Sequence, residues 1–83
     1  MRRELSNKII FNDFVNNVYL TEDEEKVLEM YVKRYSLIKM ADVIGMSDRN
    51  VSRILRQIKG KYKDFKKIES AKLEVFNSQK NND

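Results

Sequence analysis

The segment SLIKMADVIGMSDRNVSRILRQI, from Ser36 to Ile58, holds two short helical patterns separated by a glycine. Ser36 is placed to cap a helix over 37–44, because its hydroxyl can accept from an orphan amide of the first turn. Gly45 follows, where a left-handed backbone is cheap for glycine and costly for other residues. Ser47 then caps a second helix over 48–59, with Asp48 at its positive end. In that helix Val51, Ile54, Leu55 and Ile58 repeat at i, i+3, i+4 and i+7, which makes one apolar stripe. Arg49, Ser52, Arg53 and Arg56 fall on the other side. Ala41 lets the two helices approach each other, and Val51 faces back into the pair, with Met40, Ile44, Met46 and Ile54 supplying further apolar contacts. A small residue, a turn glycine and a buried aliphatic at these offsets are what a helix-turn-helix requires. They predict a positive φ at Gly45 and an Ala41 buried against the following helix.

The flanking sequence reads as more helix. Thr21 and Glu24 fit a capping box at the start of a helix over 22–34, and Glu22 to Glu25 form a four-acid run that suits the positive end of its dipole. Val27, Leu28, Tyr31, Val32 and Tyr35 form its apolar stripe. A helix nearer the N-terminus, over 7–18 with Ser6 as its expected cap, carries Ile10, Phe11, Phe14, Val15 and Val18 on one face. After the central pair, Gly60 is placed to end a helix, and a fifth is expected over 63–76 with Phe65, Ile68, Leu73, Val75 and Phe76. Residues 77–83 hold no aliphatic or aromatic side chain and are expected as a disordered tail. The resulting expectation is a small all-α domain over 1–76, with four to five helices containing a helix-turn-helix.

Composition removes several functional classes. The 83 residues suit one domain and contain no proline, no cysteine and no histidine. Disulfides and thiolate metal sites are therefore excluded, and the acidic run at 22–25 is explained as a helix start rather than a metal site. No apolar run approaches the roughly 18 residues of a membrane span, and Ile9 to Phe11 is too brief for a signal-peptide core. With no glycine-rich phosphate loop and no isolated carboxylate pair, the expectation is a cytoplasmic protein that is not an enzyme and needs no cofactor or metal.

The net charge of +4 is unevenly spread: residues 1–25 carry −3, residues 26–47 carry +2 and residues 48–83 carry +5. Arg49, Arg53, Arg56, Lys59, Lys61, Lys63, Lys66 and Lys67 are interrupted by a single acid, Asp64. Such a one-sided basic stripe is the electrostatic footprint of a polyanion binder. Arginine can donate two hydrogen bonds to guanine O6 and N7 in the major groove and also neutralises phosphate.

From Leu20 to Ile58 the chain resembles the helix-turn-helix of sigma factor region four and of LuxR-type regulators. The matching residues are Leu20, Glu24, Val27, Leu28, Ser36, Ala41, Gly45, Ser47 and Val51. Lys39 stands where those families usually carry glutamate, and Met40 and Ile44 are conservative departures. The resemblance implies double-stranded DNA as partner. It places base contacts on the first two turns of the helix over 48–59, at Asp48, Arg49, Ser52 and Arg53. Arg49 and Arg53 are the leading base readers. Ser36 and Ser47, heading their helices, are candidates for phosphate contact. So are Arg56, Lys59, Lys61 and Lys63.

The leading expectation is a sequence-specific transcription regulator. The alternative is a sigma-like adaptor that docks RNA polymerase or another protein, and a recombinase-like or packaging accessory would use the same unit. A homodimer is also expected, since one such unit presents few base-reading side chains. The first helix and the fifth, through Phe65, Ile68, Leu73 and Phe76, are the candidate pairing surfaces.

Overall fold

A computed structural model describes the backbone of residues 1–81 and the side chains of residues 1–68. The protein is all-α: α1 spans Arg2–Leu5, α2 Lys8–Asn17, α3 Glu22–Val32, α4 Leu37–Ile44 and α5 Asp48–Asn81, with no strand among the described residues. None of these helices is long and apolar enough to cross a membrane.

Local chemistry explains most of the boundaries. The capping box at α3 forms in full: the Glu24 amide donates to Thr21 Oγ1 at 3.2 Å, and the Thr21 amide donates to Glu24 Oε1 at 2.9 Å. Ser36 and Ser47 cap α4 and α5, accepting from the amides of Lys39 and Asn50, each at 3.2 Å. Gly45 ends α4 at φ 76°, and Met46 donates its amide back to the Ala41 carbonyl. α3 ends by a similar device without glycine. Arg34 adopts φ 68°, and the amides of Arg34 and Tyr35 return to the carbonyls of Tyr31 and Met30. That pairing is a Schellman motif on a residue that carries a Cβ, a strained choice.

Three expected boundaries move. The helix expected over 22–34 ends at Val32, because the left-handed Arg34 turns the chain out of it. Asn7, not Ser6, caps α2, its Oδ1 accepting from the Ile9 amide at 2.9 Å. The Ser6 hydroxyl donates instead to the Arg2 carbonyl and closes the short α1. Gly60 does not end a helix: α5 runs through it without interruption, merging the two helices expected over 48–59 and 63–76 and including residues 77–81 of the expected tail. The reason lies in register. Val51, Ile54, Ile58, Tyr62 and Phe65 are all buried, and their spacing of three and four continues one stripe across the glycine. Burying large side chains such as Tyr62 and Phe65 stabilises by about 1.5–3 kcal/mol each, more than the roughly 0.5–1 kcal/mol that a glycine costs inside a helix.

The core gathers Leu5, Phe14, Val27, Leu28, Met30, Met40, Ala41 and the α5 stripe. Ala41 and Val51 are both buried where α4 meets α5. Phe14 of α2 meets α5 edge-on, with ring centroids 5.2 Å from Tyr62 and 5.5 Å from Phe65. Of the two surfaces considered for pairing, the α2 face is thus largely drawn into the chain's own core, and Phe65 of the other is drawn in as well. Phe14 and Phe65 are buried, and Phe11, Val15 and Val18 pack against the core, whereas Ile10 stays at the surface. Ile68 is 57% exposed, and the side chains of Leu73, Val75 and Phe76 lie outside the described residues.

Candidate nucleic-acid interface

α4 and α5 are joined by three residues, Gly45 to Ser47, and both pack on α3. The buried stripe of α5 faces α3 and α4, so side chains half a turn away must face outward. Asp48, Arg49, Arg53 and Arg56 are all exposed, and Ser52 is half-buried at the edge of the core. At 100° per residue, Arg49, Arg53 and Arg56 share an arc of about 60° opposite the core stripe. None of these three arginines takes part in an ion pair or side-chain hydrogen bond among the described residues.

The candidate phosphate contacts divide. Ser36 and Ser47 are exposed, and their hydroxyls already accept from amides of their own first turns. Lys59 and Lys63 are exposed. Lys61 differs from them in being already engaged within the chain. Its ammonium donates to Glu24 Oε1 at 2.7 Å and to the Tyr19 carbonyl at 2.9 Å, and it lies over the Tyr19 ring. The rotation that puts Arg53 outward carries Lys61 toward α3, because eight residues advance a helix by about 800°, or 80° past a whole turn. Lys66 is likewise engaged, 3.4 Å from Glu4 Oε2. Lys39, standing where the resembling families carry glutamate, sits over the Tyr35 ring at 4.4 Å.

Glu24 is the buried charge of this region. Burial opposes its ionised form, but Lys61 and the Thr21 backbone and hydroxyl outweigh that cost and hold its carboxyl below the ordinary value. One oxygen, Oε2, is left without a hydrogen-bond partner. Tyr62 is the second perturbed group. Burial, then its hydrogen bond to Glu4 and that carboxylate's charge, push its hydroxyl up to about 12. The same hydrogen bond is the largest influence lowering Glu4.

No group of three or more potential metal-ligating side chains is found among the described residues. Comparison with protein-family models, curated proteins and solved structures finds no match to this chain.

Proposed function

We propose that the protein binds double-stranded DNA in the cytoplasm as a transcription regulator, with α4, the Gly45 turn and the start of α5 acting as a helix-turn-helix. The observation that carries this reading is the outward face of α5. Three arginines follow a capped helix start, are exposed, and have no acidic partner among the described residues. Two other groups of α5, Lys61 and Lys66, are paired with acids, so among the described residues most of the α5 cations without an acidic partner lie on the outward face. An amphipathic helix needing only solubility has no reason to segregate its charges in this way.

In this reading Arg49 and Arg53 reach base edges, with Ser52 and Asp48 beside them, while Arg56, Lys59, Lys63 and the helix starts at Ser36 and Ser47 meet phosphates. The protein acts by binding and not as an enzyme. Two-fold pairing with recognition helices about 34 Å apart is part of the proposal. Since Phe14 and Phe65 are core residues, pairing falls to α5 beyond Phe65, beginning at the exposed Ile68. Selection of bound sequences from a random duplex pool tests the proposal. A sharp motif of two inverted half-sites is expected, and recovery of unenriched sequence would overturn it.

A further inference from the structure

Gly60 has no structural purpose in the isolated protein. It sits inside α5, where alanine is the better helix former. Its φ is not in the left-handed region, and a Cβ added to it would meet nothing within 4 Å. No turn, close packing or strain calls for glycine there. Its place on the helix is informative. Arg49, Arg53, Arg56, Gly60, Lys63 and Lys67 share one arc of about 80° opposite the buried stripe. All six are exposed, and the five cations are without an acidic partner among the described residues. The stripe is about 27 Å long at 1.5 Å per residue, more than twice the roughly 12 Å width of a major groove. A straight helix that enters the groove at Arg49 at a steep angle to its walls therefore passes a sugar–phosphate strand before it reaches Lys67.

We propose that Gly60 marks where that strand crosses α5. The missing side chain lets the DNA backbone approach the helix, and Arg56, Lys63 and Lys67 hold phosphates on either side of the crossing. This deepens the DNA-binding reading and rests on it. It assigns a contact to Gly60 and Lys67 and makes the phosphodiester backbone, not base edges, the ligand of the second half of the stripe.

The experiment measures thermal stability and duplex affinity across a salt series for the whole chain, with Gly60→Ala, Gly60→Leu, Lys67→Ala and Lys61→Met. Both glycine replacements favour helix, so each is expected to raise Tm by a few degrees. Affinity is expected to fall in the opposite direction, by about tenfold for alanine and further for leucine, as expected for a displaced backbone contact. Lys67→Ala is expected to reduce the salt slope by about one unit, while Lys61→Met, measured well below its own lowered Tm, leaves it unchanged. If the wild-type chain binds duplex DNA and both glycine variants bind as tightly as it does, the crossing at Gly60 is refuted while the DNA reading stands. If the wild-type chain binds no duplex, the functional proposal fails and takes this inference with it.

Discussion

The ammonium of Lys61 and the carboxylate of Glu24 form an ion pair at 2.7 Å between α5 and the start of α3, with side-chain exposures of 33% and 3%. Glu24 thereby closes its own helix start through Thr21 and fixes the rotation of α5 at once. Removing only the lysine leaves a carboxylate buried and uncompensated. Lys61→Met is therefore expected to cost about 2–4 kcal/mol, toward the lower part of the range for buried pairs because Lys61 is partly solvated. Gln at position 24 can still accept from the Thr21 amide. The double variant Glu24→Gln with Lys61→Met is accordingly expected to recover part of the loss, a coupling that urea denaturation of the four proteins measures directly.

Glu24 also sets an acid limit. Its pKa in the folded chain lies below the ordinary 4.5. Its ionisation therefore contributes stability that is present above pH 4.5 and lost as pH falls through the lower folded value. Glu4, held low by Tyr62 and Lys66, acts in the same direction. Tyr62 sets an alkaline limit of opposite sign. Its pKa rises from 10.0 to about 12 on folding, so its contribution is complete below pH 10 and declines toward pH 12. Denaturation midpoints across pH should show a shallower acid limb in Glu24→Gln and a shallower alkaline limb in Tyr62→Phe.

The two left-handed residues make a paired prediction. Gly45 at φ 76° has open space where a Cβ would sit, so a replacement there meets backbone strain and no clash. Gly45→Asn is expected to cost little and Gly45→Val about 2 kcal/mol, because asparagine tolerates this region and a β-branched residue does not. Arg34 at φ 68° already carries such strain. Arg34→Gly is expected to stabilise by up to about 1 kcal/mol, the relief of strain being partly offset by the greater freedom of glycine in the unfolded chain. Thermal melts of the three variants read both signs.

The features legible in the sequence are mostly local. Thr21 with Glu24, Ser36, Ser47 and Gly45 act within three to five residues of themselves, and each does what its type and spacing imply. Ser6 and Asn7 are equally good caps by residue type, and only the closure of α1 assigns the serine elsewhere. Arg34 gives no signal, since arginine is not a residue that marks a left-handed turn. Gly60 misleads through its own propensity, although the spacing of Ile58, Tyr62 and Phe65 across it carries the answer. Lys61 looks like its neighbours in a lysine-rich run. Its partner is 37 residues away, and only tertiary packing separates it from Lys59 and Lys63.

The functional proposal depends most on the face of α5 that carries Arg53. Equilibrium binding of Arg53→Ala to the preferred duplex, and to duplexes altered one base pair at a time, tests it. Loss of one bidentate arginine should weaken binding to the preferred site by about 1–3 kcal/mol and abolish discrimination at a single base pair, leaving the other positions as selective as before. An Arg53→Ala protein with unchanged affinity and unchanged base preference would contradict the assignment of this face to DNA.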